Sequence, residues 1–323
     1  MGELELAPPT PTRRKLNEDT NSFNIELKQL TLKIKCHKYC VTSLCLLDDG
    51  RLASSSSDCR IIIYNKKTYK PQIIIREHRN TINYLLKLES NILASCSEDS
   101  TIKFFKIKQN KYETLQTLNH HSNNVNQIKE LKNKKLVSSS DDNSIIFYYK
   151  DNNQYLKDFQ EPTEGLCYHI EQTKENEICY STYDLMHDNY NIYFFDFIEK
   201  KIITSINKVN ITSLEGIFNM ISKDLLIIGG MNTLTLIDVD QYLMIKLIEL
   251  KNSLHNSGFC MINENMFITG DFNGTLRQWE IEDNEIYLIS QKEKDDKEKI
   301  YSLLKINNGV FASFEDGKML LLS

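Results

Sequence analysis

A repeat of about 43 residues constrains this chain more than any other feature. Seven short apolar hexamers recur along it: RIIIYN from Arg60, TIKFFK from Thr101, SIIFYY from Ser144, NIYFFD from Asn191, TLTLID from Thr233, TLRQWE from Thr275 and KMLLLS from Lys318. Their starts are separated by 41, 43, 47, 42, 42 and 43 residues. A period in this range means that each unit is one supersecondary element, able to bury its apolar faces only by stacking against its neighbours. Before most hexamers stands a second apolar run ending in small residues and an acid or amide: LASSSSD (52–58), LASCSED (93–99), LVSSSDD (136–142), FITGDFN (267–273) and FASFED (311–316). Both kinds of run are β-branched or aromatic, short, and bounded by Asp, Asn, Ser and Gly, which is the chemistry of strands joined by tight turns. Length alone would suggest two domains for 323 residues, but the repetition overrides that prior in favour of one all-β array.

Histidine marks the connection ahead of several repeats. His37, His78, His121 and His255 each precede apolar residues four and seven positions on, Val41/Leu44, Ile82/Leu85, Val125/Ile128 and Phe259/Ile262. With these features together the chain resembles the WD-repeat β-propeller family from residue 24 to 323, in which a His, a small-residue strand, an Asp turn and a Trp-Asp strand recur at this spacing. The resemblance implies a single seven-bladed propeller of four-stranded antiparallel blades over residues 23–323. It also implies structural pairs His37 with Asp58, His78 with Asp99, and His121 with Asp142. The family's Trp position reads Tyr64, Phe105, Tyr148, Phe195, Ile237, Trp279 and Leu322. A full Asp–His–Ser–Trp network is therefore expected only around His255 and Trp279, with Asn273 in place of the turn Asp. Counting from Asp296, the seventh His position, leaves too few residues for a last blade. The segment FNIELKQLTLKIKC (23–36) is expected to supply its outer strand and remove an open edge. Residues 1–22, rich in Pro, Thr and charge, carry no strand pattern and read as a disordered tail.

Composition narrows the function. The formal charge is −5, with 44 acidic and 39 basic residues, and the basic ones are 32 Lys against 7 Arg. Arg supplies the planar fork that reads bases and clamps phosphates, so nucleic-acid binding is not expected. No apolar run approaches a membrane span, and MGELELAPPT lacks the layout of an export signal. The expectation is an intracellular, cytoplasmic protein whose eight Cys stay as thiols. The CHKYC run (36–40) lacks tetrahedral zinc spacing, and His120, His169 and His187 stand near no nucleophile motif. No phosphate loop, dinucleotide fingerprint or HExxH occurs. The chain is thus read as a non-catalytic scaffold without cofactor, metal or small-molecule substrate, which binds proteins or peptides as part of a larger complex. The alternative is a propeller enzyme with channel acids, or an RNA-associated propeller.

The resemblance also implies a binding face, the narrower channel mouth, rimmed by two positions per blade. One set is Ser57, Glu98, Asp141, Asp188, Gly230, Phe272 and Glu315. The other is Thr42, Asn83, Asn126, Tyr168, Phe218, Cys260 and Tyr301. Four acids, four aromatics and no base stand among them, which favours a basic peptide segment as ligand.

Overall fold

The computed structural model describes residues 30–209, 217–230, 232–250, 256–293, 298–307 and 309–322. Every strand among them belongs to one of seven four-stranded antiparallel sheets. The first strand of each sheet lines a central channel: Val41–Leu46, Ile82–Leu88, Val125–Glu130, Leu166–Gln172, Phe218–Met220, Asn256–Asn263 and Ile300–Ile306. Val41–Leu46 packs against Ile300–Ile306, so the array closes into a ring of seven blades. The closing blade takes its outermost strand from Leu30–Lys35, which pairs with Lys318–Leu322 in a ladder from Leu30↔Leu322 to Lys35↔Lys318. The strand taken from the N-terminal side is thus present. The proposed tail, residues 1–22, and residues 23–29 lie outside the described residues. Among the described residues no helix is long and apolar enough to cross a membrane.

The strand sequences follow from where they sit. Second and third strands are sandwiched between neighbouring blades, so Leu52–Ser56 and Ile61–Tyr64 are buried on both faces and read as unbroken apolar or small runs. Ile61 and Ile63 of blade 1 pack with Ile82, Leu85 and Phe105 of blade 2. Each such buried aliphatic stabilises the fold by roughly 1.5–3 kcal/mol. Ser runs in the second strands are small because the next blade's inner strand lies over them. Ser139 Oγ donates to the Tyr168 carbonyl at 2.8 Å, and Ser313 Oγ to that of Val41 at 2.9 Å. Between blades 6 and 7 the approach is closer still: a Cβ at Gly270 would sit 2.7 Å from Ile300 Cγ2. Fourth strands alternate, as with buried Ile73 and Ile75 around exposed Ile74.

In blades 1 to 3 the histidine ahead of the inner strand is tied to the turn of its own blade. His37, His78 and His121 place Nδ1 at 3.1, 2.8 and 2.8 Å from Asp58, Asp99 and Asp142, and Nε2 at 2.7 Å from Ser54, Ser95 and Ser138. Burial opposes ionisation of these three carboxylates, but hydrogen bonds from the His ring, from Arg60, Thr101 or Ser144, and from backbone N–H groups outweigh it. Their pKa values are held below the carboxylate range, that of Asp142 at about 2.

One expectation about this network is corrected, that blade 6 alone could form it in full. Blade 1 completes it without Trp, because Tyr64 Oη lies 3.0 Å from Ser54 Oγ. In blade 6, His255 lies outside the described residues, and Trp279 Nε1 donates to Thr269 Oγ1 at 3.0 Å. Asn273 stands at the turn position, and the buried acid Asp271 two residues earlier accepts the Asn273 and Thr275 N–H groups and forms a fully buried ion pair with Arg277 at 2.7 Å.

Candidate functional site

The inner strands enclose a central cavity of about 500 Å³. In blades 1, 2, 3, 6 and 7 a bulge interrupts the ladder where the inner strand begins, next to a side chain that lines the mouth. In four blades that side chain reaches the next blade. Thr42 donates to the Ile82 carbonyl at 2.5 Å, Asn83 to Val125 at 2.9 Å, Asn126 to Cys167 at 2.8 Å, and Ser257 to Ile300. The same position therefore lines the channel and latches the ring.

Of the proposed rim residues, Thr42, Ser57, Asn83, Glu98, Asn126, Tyr168, Phe218 and Tyr301 line the cavity. Phe218 is buried and stacks on His169 with centroids 5.5 Å apart. Phe272 lies 5.2 Å from the Tyr301 ring, beside the mouth.

The remaining positions fall elsewhere. Cys260 is buried between blades 6 and 7, because Asn256 pairs with Asp271 and Phe267 with Trp279, which puts Ser257 at the rim. Blade 4 carries an extended hairpin in which Tyr183↔Tyr190 and Asp184↔Asn189 still pair. Asp188 is thereby moved to an exposed tip, where it accepts the Tyr183 hydroxyl at 2.7 Å. Gly230 is buried at a strand end, opposite Thr233. Sequence reasoning missed Asn124, Gln127, Tyr84 and His169, which also line the cavity. Their signal was available: each lies within two residues of a rim position already named.

These placements redistribute the charge. Glu315 is matched by Lys299 at 3.1 Å, so it adds little negative potential. Asp141 is held by Asn126 Nδ2 at 2.7 Å and Asn124 Nδ2 at 3.0 Å. Burial nevertheless pushes its pKa upward against those bonds, with help from neighbouring Asp142. Glu98 has no cationic partner among the described residues. The acidic sector is therefore confined to blades 2 and 3. Next to Asp141 stands Tyr168 of the adjoining blade 4, whose ring lies 6.3 Å from that of Tyr190 behind it. Burial, then the nearby Asp141, raises the Tyr168 hydroxyl pKa. Among the described residues no three His, Cys, Asp or Glu side chains gather as a cation site, and all eight Cys are free thiols.

The family model described as "WD domain, G-beta repeat" matches residues 28–65 and 112–148, that is, the end of the closing blade with most of blade 1, and the junction of blades 2 and 3. No curated protein matches the chain.

Proposed function

We propose that this chain, a seven-bladed WD-repeat propeller, is a non-catalytic platform whose channel mouth holds a Lys- or Arg-bearing segment of a partner protein. WD40 propellers generally serve as scaffolds for protein interaction. The observation that carries the finer reading is Glu98, an unmatched carboxylate lining the mouth together with Tyr168, with Asp141 near the Tyr168 ring. A cation at about 4 Å from one such carboxylate gains roughly 1 kcal/mol in water and about 4 kcal/mol at the effective dielectric of a partly buried site. The aromatic rings add area on which the aliphatic stem of the ligand lies.

The test is a pair of near-isosteric changes, Glu98→Gln with Asp141→Asn, which remove charge and keep shape. Titration with Lys- and Arg-containing peptides should lose about tenfold or more in affinity, with a melting curve close to that of the parent protein. Undiminished capture of basic peptides by the folded double variant would refute the mouth as the binding site.

A further inference from the structure

We propose that the face opposite the channel mouth, under blades 1 to 3, binds an Asp- or Glu-rich segment of a partner protein. Two connections of a blade lie on that face, one between its first and second strands and one between its third and fourth. In blades 1 to 3 these are 47–51, 65–70, 89–91, 108–111, 131–135 and 152–153, and together they carry nine Lys or Arg against three Asp or Glu. The same connections of blades 4 to 6 carry three Lys against six acids, and that of blade 7 carries no charge. In a chain of formal charge −5, this sector is a local inversion of sign. The two residues of each strand next to the loops of blades 1 to 3 add four Lys and three acids, so the excess stands.

Internal pairing leaves the excess uncancelled. Asp48 is held by Lys87 and Asp49 by Arg51, both at 2.7 Å, and Glu89 by Lys134 at 2.8 Å. All three loop acids are thus neutralised within the chain. Lys108 and Lys135 are matched by Glu113 and Asp158 on neighbouring strands. Lys66, Lys67, Lys70, Lys111 and Lys132 are exposed and form no ion pair among the described residues; Lys66 reaches the Asp49 carbonyl at 3.2 Å. The loops are fixed against one another. Arg51 donates to the carbonyls of Lys108 and Gln109 at 2.9 and 3.1 Å, and the Asp49 N–H to Asn91 Oδ1 at 3.3 Å. The Lys134–Glu89 pair ties blade 3 to blade 2 in the same way. The unmatched ammonium groups therefore stand on one preformed surface, which lowers the ordering cost of binding.

The chemistry of the sector selects carboxylates. Arg51 is engaged by Asp49 and two carbonyls, so no planar fork is left for a phosphate. The six loops expose no large apolar side chain to anchor in a bilayer. Their one aromatic residue, Tyr69, packs edge-on against Phe311 with centroids 5.3 Å apart, which leaves no platform for a stacked base. Dispersed lysines are matched by carboxylates spaced along an extended acidic segment.

Fluorescence anisotropy with a labelled peptide of alternating Glu and Asp tests this on the full chain. The parent protein should bind it at about 50 mM salt and release it as salt rises toward about 0.5 M, since exposed charges are screened. Lys67→Glu, Lys111→Glu and Lys132→Glu together should weaken binding about tenfold or more. That variant should keep the parent melting curve, because all three side chains are exposed. Lys223→Glu, on the same face of blade 5, should stay within about twofold of the parent. So should Glu98→Gln with Asp141→Asn, which separates this face from the channel mouth. A parent protein that ignores the peptide at low salt would overturn the proposal, and so would undiminished binding by the triple variant. Equal affinity for a single-stranded RNA oligomer or for phosphatidylserine vesicles would overturn it as well.

Discussion

Removing the imidazole of His78 isolates what one histidine marker contributes. The ring is almost wholly buried, with a side-chain exposure of 1%. His78→Ala leaves the Ser95 hydroxyl, itself at 0% exposure, without the ring nitrogen it faces at 2.7 Å. An orphaned buried hydroxyl costs roughly 1–3 kcal/mol. Asp99 loses one donor at 2.8 Å but keeps the Arg79 and Thr101 N–H groups and the Thr101 hydroxyl, so its share is smaller. With the void left by the ring, the expected loss is about 2–4 kcal/mol. At a slope of about 3 kcal/mol per molar urea the midpoint falls by roughly 1 M. Urea denaturation followed by the single Trp, Trp279, and by circular dichroism reads this out. Adding Ser95→Ala to His78→Ala should cost nothing further, since the orphan is then gone. His187→Ala, on a side chain 72% exposed, should leave the midpoint in place. A His78→Ala midpoint no lower than that of His187→Ala would refute the structural role of the marker.

Three more outcomes are expected. The native pKa values of Asp58, Asp99 and Asp142 lie below that of an unfolded Asp, about 3.9. The stability they contribute is therefore complete above about pH 5 and drains away progressively as the pH falls below about 4 and through the depressed native values; acid denaturation should show this slope, and Asp142→Asn should remove part of it. Deleting residues 1–22 should leave the melting curve unchanged, whereas deleting 1–35 strips Leu30–Lys35 from Lys318–Leu322 and should cost about 3–6 kcal/mol from lost burial around Ile34 and its neighbours. Native alkylation at pH 8 should modify at most Cys36, Cys40 and Cys59. Cys45, Cys96, Cys167, Cys179 and Cys260 are buried, and desolvation pushes their thiols up, Cys45 to about 12 and Cys260 to about 11; mass spectrometry identifies the labelled sites.

Blades 1 to 3 were legible because three independent signals agree in each: a His, a small-residue strand and a turn Asp at fixed offsets. Where only one signal survived, the register slid. In blade 6 an alignment on His255 put Cys260 at the rim, three residues from Ser257. The ladder itself gives the right answer there. Val41 pairs with Ser56, Val125 with Ser140 and Asn256 with Asp271, fifteen positions apart in each blade, because pairing is a property of two strands and not of one residue. In blade 4 two acids, Asp184 and Asp188, flank an extended hairpin, and spacing alone did not tell which one ends the ladder. The Asp271–Arg277 pair was not legible at all. Charged residues inside a strand look like surface until the neighbouring blade is in place. The four-acid rim narrowed for a similar reason, since Lys299 lies sixteen residues from the Glu315 it neutralises.

The seam of blade 7 fixes how the molecule responds to force. Leu30 faces Leu322 across the ladder, so a load applied through the two chain ends enters and leaves at the same end of one strand pair. The hydrogen bonds of an antiparallel ladder lie across the strands. They are therefore loaded one after another and unzip from Leu30 toward Lys35, rather than resisting together in shear. A ring held by seven cores is thus opened at low tension from its ends. A pull transmitted through the outer strand of any other blade must first break apart a sheet whose four strands are joined by consecutive turns.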